Sequence, residues 1–366
     1  MSLSVKARIG SQDWDVGSVL ITSFAVLATR GRKTPVALEP EWDARVAWPS
    51  PEPLAIEAGC GPDELKEALL ADFEAVLEER RERLSKLPVK MGKWKQYADE
   101  AFGQAVEELK GEPLESFFDW TTVKRQKAPP GFAVLPTRLW PLAGKGFRLT
   151  TPAKGWSTYA TYGALAFFYH LLATGMACGW TRTAGITVNI FATAVPRPGS
   201  YLGKTELDAL AELALELAGV PAWTFILPHR AVPLVVAARL GDAAGLFKAA
   251  RAELLFYAAT STKARHVFFR TAGMSAAAAF VEALRTAGGE TVRTGVCGFI
   301  VRTARAAHAG DAHALKALMA LVDAVKNAST ARLAEAFRHA RLAGIKPPQE
   351  DHAAQAVAAL KAAQKA

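Results

Sequence analysis

Cysteine is scarce in this 366-residue chain: Cys60, Cys178 and Cys297 are its three, none within a hundred residues of another. No CxxC pair exists to hold zinc or run thiol exchange, so neither a disulfide scaffold nor a thiol-ligated metal is expected. Residues 1–10 carry Lys6 and Arg8 but no apolar stretch before a small-residue cleavage site, so export is not signalled and a cytoplasmic protein is expected. The Asn327-Ala328-Ser329 sequon is then chance.

Catalytic motifs are missing too. Ala143-Gly144-Lys145-Gly146 matches only the tail of a phosphate loop, without the upstream glycine or the Ser/Thr that would hold magnesium. HExxH, GxSxG and Cys/His metal spacings do not occur. His308 and His313 straddle a helix break, a poor spacing for two metal ligands on one face, and His170 sits inside an apolar run as a core histidine would. The acid pairs Asp13/Asp15 and Asp99/Glu100 read as exposed charge. No catalytic residue, metal or cofactor is therefore expected.

What the chain does have is apolar bulk and positive charge. Hydrophobic residues make up 51% and charged residues 22%, which excludes a disordered chain and supports a sizeable core. The length suits about two domains. Lys plus Arg number 44 against 35 acids, a formal charge of +9, which favours an anionic partner such as nucleic acid. Abundant Ala, few Met and Cys, and Arg outnumbering Lys in the second half fit a thermophile.

Residues 1–60 alternate short apolar runs, notably Ser18–Leu27, with proline breaks, a pattern that predicts strands and loops. Gly61-Pro62-Asp63-Glu64 then opens an amphipathic helix with Leu65, Leu69, Phe73, Val76 and Leu77 at helical spacing, and a second helix is expected over 94–110. Residues 132–136 read as extended. Tyr159–Trp180 is the most apolar segment; its length approaches the roughly 20 residues of a membrane span, but Gly163, His170 and Gly175 favour one long core helix. A strand over 186–195 and helices over 207–218, 243–258 and 274–285 follow, with 230–240 open between the two. From residue 290 the pattern is helical throughout, with Asp311 and Ser329 as N-caps and Gly344 before Pro347-Pro348 as a stop. The expected fold is α+β, mainly α: a mixed α/β region over 1–260 with a strand-rich start and a long central apolar helix, then a basic C-terminal helical bundle over 261–366.

The basic residues are unevenly placed. Lys124, Arg125 and Lys127 lead into a connector with Arg138, Lys145, Arg148 and Lys154 and no acid from 138 to 154. Between 263 and 305, Lys263, Arg265, Arg270, Arg285, Arg293, Arg302 and Arg305 meet only Glu282 and Glu290. Arg332, Arg338 and Arg341 recur near helical spacing with Glu335 between them, so several guanidinium groups could share one face and neutralise a row of phosphates. Aromatics interleave with bases at Lys93-Trp94-Lys95 and at Arg265–Arg270, where exposed rings would stack on unpaired bases and buried ones would be core. These cations other than Arg285, together with Trp94, form the candidate nucleic-acid-binding set.

The order of parts resembles a known family. A proline-rich start, the extended Val134-Leu135-Pro136-Thr137-Arg138-Leu139-Trp140-Pro141, the apolar run opening Tyr159-Ala-Thr-Tyr-Gly-Ala-Leu-Ala-Phe-Phe-Tyr169 and a basic helical C-terminal part resemble the large subunit of archaeal type I-A CRISPR interference (Cascade) complexes, in its Csa-type form. The resemblance implies a non-catalytic subunit in antiviral defence. It would contact guide RNA and target DNA beside the backbone and small subunits, recognise the flanking motif, help open the duplex, and recruit the helicase and nuclease, with sequence read by guide pairing. No membrane partner is implied. A nucleic-acid-processing enzyme and a stand-alone basic interaction protein are the alternatives; the first needs a carboxylate cluster that no adjacent positions supply.

Overall fold

The computed structural model describes residues 3–9, 14–30, 45–48, 55–85, 93–135, 157–173, 179–181, 186–194, 200–260 and 266–363. Strands β1 (Leu3–Lys6) and β2 (Arg8–Ile9) precede helix α1 (Trp14–Arg30), and β3 (Arg45–Trp48) and β4 (Ala55–Ala58) lead to α2 (Pro62–Ser85), α3 (Lys93–Gly111) and the single turn α4 (Leu114–Phe117). Strands β5 (Asp119–Trp120), β6 (Thr122–Arg125), β7 (Phe132–Val134) and β8 (Ser157–Thr161) run up to α5 (Tyr162–Ala173). Next come β9 (Gly179–Thr181), β10 (Ile186–Ala194), β11 (Ser200–Leu202), α6 (Lys204–Ala218), α7 (Val232–Leu240) and α8 (Leu246–Ala249), with 3-10 turns over Ala222–Ile226, His229–Ala231 and Gly241–Gly245. Strands β12 (Ala252–Thr260) and β13 (His266–Ala272) precede the helices α9 (Ser275–His308), α10 (Ala312–Asn327), α11 (Thr330–Leu342) and α12 (Glu350–Ala363). The fold is α+β and mainly α, with a C-terminal helical bundle.

There are two four-stranded antiparallel sheets, in the orders β1-β4-β3-β11 and β13-β12-β10-β9, and smaller sheets β6-β8-β7 and β2-β5. In the second sheet Ile186 to Ala194 pairs residue by residue with Thr260 to Ala252. The boundary expected near residue 260 falls between β12 and β13, which pair with each other. Helix α9 packs on α7 and on the Gly241–Gly245 turn as well as on α10 and α12.

Three expected elements differ. Ser18–Leu27 is helical, not extended: α1 lies between α5, α6 and β10. Val19 to Leu27 are buried, and a segment apolar on every side has no period with which to announce a helix. Tyr159–Trp180 is not one helix. Its start, Ser157–Thr161, is rich in hydroxyl and aromatic side chains and pairs with β6 and β7, leaving α5 twelve residues long. Among the described residues no helix is long and apolar enough to cross a membrane. Of the helix expected over 243–258 only α8 (Leu246–Ala249) forms after the 3-10 turn; Arg251, with a φ of 49°, leaves the helical region, and the chain continues as β12 because β10 and β13 offer it hydrogen bonds on both sides.

The C-terminal reading holds in detail. Asp311 accepts a hydrogen bond from the Ala314 amide (2.8 Å) and Ser329 from the Arg332 amide (3.3 Å), so both N-caps form. Gly344 takes a φ of 72° where α11 ends. Helix α9 breaks at Gly288 and Gly289, the latter at φ 72°, between the two helical stretches that the sequence separates.

The centre of the N-terminal part is aromatic. Phe167 meets Phe73 (5.3 Å between ring centres), Trp120 (5.4 Å) and Phe118 (5.7 Å), mostly edge to face, and Trp120 donates its indole N–H to the Phe117 carbonyl at 2.9 Å. One turn earlier in α5, Gly163 lets the helix lie directly against the carbonyls of Ser116 and Phe117. Phe167→Ala is expected to lower unfolding stability by about 3–5 kcal/mol through the cavity it leaves. Gly163→Ala is expected to lower it by about 1–3 kcal/mol, since its methyl group meets backbone that must move. Chemical denaturation measures both.

Candidate nucleic-acid interface

The C-terminal helices carry most of the expected arginines that are exposed. In α9, Val292, Val296, Phe299, Ile300 and Ala304 turn inward, which leaves Arg302 and Arg305 exposed. No acid occurs between Thr294 and Gly310, and Arg305 and His308 occupy the last turn, where the helix dipole favours cations. In α11, Leu333, Ala336 and Ala340 are buried while Arg332, Arg338 and Arg341 are exposed. The two helices touch through Phe299 and Phe337, 5.5 Å apart edge to face. Arg332 is engaged by Glu335 at 2.6 Å; Arg302, Arg305, Arg338 and Arg341 make no ion pair among the described residues.

Arg293 is spent inside the protein. Its side chain is 11% exposed, it pairs with Glu290 and with Asp242 (3.3 Å), and it lies across Gly241, whose φ of 59° and absent side chain admit the guanidinium. That contact ties α9 to the turn after α7. Glu290 is held below the usual carboxylate range, chiefly by the Arg293 hydrogen bond and then by Thr294.

The remaining expected residues are dispersed. Lys93, Trp94 and Lys95 form the first turn of α3, with side chains outside the described residues. Arg125 and Lys127 are exposed and Lys124 is half-buried on β6, far in sequence from the C-terminal face. Arg270 lies in β13 opposite Phe256, its side chain outside the described residues. Arg138, Lys145, Arg148, Lys154, Lys263 and Arg265 all lie outside the described residues.

The structure adds two residues that the sequence did not single out. Helix α7 is apolar except for Arg239 in its last turn. The Arg239 guanidinium carbon sits 4.7 Å from the centre of the half-buried Trp223 ring, which also stacks on His308 at 5.4 Å with planes 23° apart. Burial first, and then the neighbouring Arg305 charge, pull Arg239 below the usual arginine range. The signal available in sequence was one arginine within a run of valines and alanines.

A second polar group is buried deeper. His170 is fully buried, its Nε2 2.6 Å from Asp72 Oδ2 and its Nδ1 3.1 Å from Ser23 Oγ. These are the residue types of a nucleophilic triad. However, Ser23 donates its hydroxyl proton to the Phe167 carbonyl at 2.5 Å, so that proton is already engaged and is not offered to Nδ1. With Ser23 at 0% and Asp72 at 2% exposure, no substrate reaches the group, and its work is to join α1, α2 and α5. Among the described residues no three His, Cys, Asp or Glu side chains gather to hold a metal. No protein-family model and no curated protein matches the chain.

Removing one member of the buried group strands the others. Asp72→Ala is expected to cost about 3–5 kcal/mol, and the double variant Asp72→Ala, His170→Phe less than Asp72→Ala alone, because no polar partner is then left unmatched. Denaturation of the two singles and the double measures this. Burial, partly opposed by the Arg293 charge, pushes the Cys297 thiol up to about 12. Its contribution to stability is full below the ordinary thiol value and is lost as pH rises towards that figure. Iodoacetamide at about pH 8 should leave Cys297 unmodified in the native protein and alkylate it in urea, as mass spectrometry will read.

Proposed function

We propose that this chain is a cytoplasmic, non-catalytic, RNA- and DNA-binding large subunit of a type I-A CRISPR RNA-guided interference complex. The observation that carries the nucleic-acid reading is the acid-free stretch of α9 with Arg302 and Arg305 exposed on it, together with Arg338 and Arg341 exposed on α11, which meets α9 through Phe299 and Phe337. Such a face suits a phosphate backbone, since guanidinium groups bind phosphate oxygens in pairs and neutralised phosphates release counterions. It reads charge and shape, not bases, which fits a subunit whose sequence choice is delegated to guide pairing. The assignment to an interference complex rests on the order of parts along the chain. Its partners would be guide RNA, target DNA, the backbone and small subunits, and the helicase and nuclease.

The purified protein is expected to bind single- and double-stranded oligonucleotides with little sequence preference and steep salt dependence. Replacing Arg332, Arg338 and Arg341 with Glu should lower affinity and flatten the plot of log K against log salt by about 0.7 to 0.9 per lost contact. Fluorescence anisotropy across a salt series measures this, and absence of binding at about 50 mM salt rules the reading out. Affinity purification from the native organism, with sequencing of bound RNA, should recover repeat-derived guides.

A further inference from the structure

We infer that Trp223, Arg239, Arg305 and His308 form a phosphate-binding niche for a nucleic-acid strand, set where α7 meets the end of α9. The inference rests on the nucleic-acid reading above and assigns a particular seat within it. Arg239 reaches the niche from α7, Arg305 and His308 come from the last turn of α9, and Trp223 comes from the 3-10 turn over Ala222–Ile226.

Its charge balance is unusual for a structural contact. Arg239 is partly withdrawn from water beside a second arginine, and its Nε is buried with no hydrogen-bond partner among the described residues. Among the described residues no carboxylate pairs with Arg239 or Arg305: the nearest acid in sequence, Asp242, faces Arg285 and Arg293, and Asp311 caps α10. Were the role only to cover Trp223, an apolar side chain would pack there without desolvating a charge or leaving a donor unmet. The cation–π contact recovers part of that cost, but does nothing for the unmet Nε or for the repulsion from Arg305. One phosphate group lying between the two cations answers that repulsion, accepting from the terminal amines of Arg239 and from Arg305. The Trp223–His308 pair then forms the apolar wall beside the phosphate. Sites that carry such uncompensated groups sacrifice stability for binding.

The test compares wild type, Arg239→Met, Arg305→Met and the α11 triple Glu variant, using a labelled single-stranded oligonucleotide of about 20 nucleotides over a salt series. Expected is a loss of about tenfold or more in affinity for each Met variant, with the salt slope reduced by about 0.7, and a melting temperature for Arg239→Met no lower than wild type. If the α11 variant weakens binding while both Met variants bind as wild type does, the niche is overturned and the nucleic-acid reading stands. If wild type binds no oligonucleotide, both fall. Competition distinguishes the source of the phosphate: a mononucleotide or inorganic phosphate that displaces the strand at equal concentration would overturn the assignment to a strand in favour of a free phosphate ligand. A melting temperature well below wild type for Arg239→Met would mark the guanidinium as structural and overturn the niche.

Discussion

Asp72, His170 and Ser23 reach one another from three helices, across sequence separations of 98 and 147 residues, inside a space otherwise filled by rings. A polar group buried among Phe24, Phe73, Phe117 and Phe167 is costly unless every donor and acceptor is matched, so this contact admits one arrangement of α1, α2 and α5. Hydrophobic burial supplies the driving force here, but apolar surfaces can slide past one another; a short, directional bond between Asp72 and His170 cannot. Neighbouring bonds extend the same constraint. Thr22 donates to the Ala192 carbonyl at 2.5 Å, tying α1 to β10, and β10 pairs with β12, from which the chain passes through β13 to α9.

The C-terminal part uses a different currency. Its helices are rich in alanine and pack closely through small side chains, so cohesion comes from many short-range contacts and from caps at Asp311 and Ser329. That leaves the long basic side chains at the surface. Two kinds of arginine result. Arg293 has two carboxylates and sits in a socket made by Gly241, so it works as a clamp between α9 and the preceding turn. Arg239 is also partly buried but has no carboxylate partner among the described residues, and sits against Trp223 beside Arg305. The same chemical group is thus held by carboxylates in one place and by an aromatic ring in the other.

How much was legible before folding follows from the physics of each segment. Helices α2, α3, α10 and α11 were readable because each has one wet face and one dry face, and their caps are local hydrogen bonds. Helix α1 and strand β12 were not, because both are apolar runs whose form is decided by neighbours: α1 is enclosed by helices and a strand, and β12 is held between two strands. The basic face on α11 was visible as spacing along one helix. Arg293 was visible as charge but not as a paired charge, since Asp242 lies on another element.

Local rules alone, then, settled the α+β and mainly α class, the capped helices of the bundle and the concentration of positive charge near the C-terminus, since periodicity, capping and charge density are properties of neighbouring residues. Tertiary structure alone decided which polar groups meet inside, that His170 binds Asp72 and Ser23, and that Trp223 and Arg239 join Arg305 and His308. Those contacts bring together residues far apart in the chain. Their energies depend on burial, which no stretch of sequence possesses until the rest has folded around it.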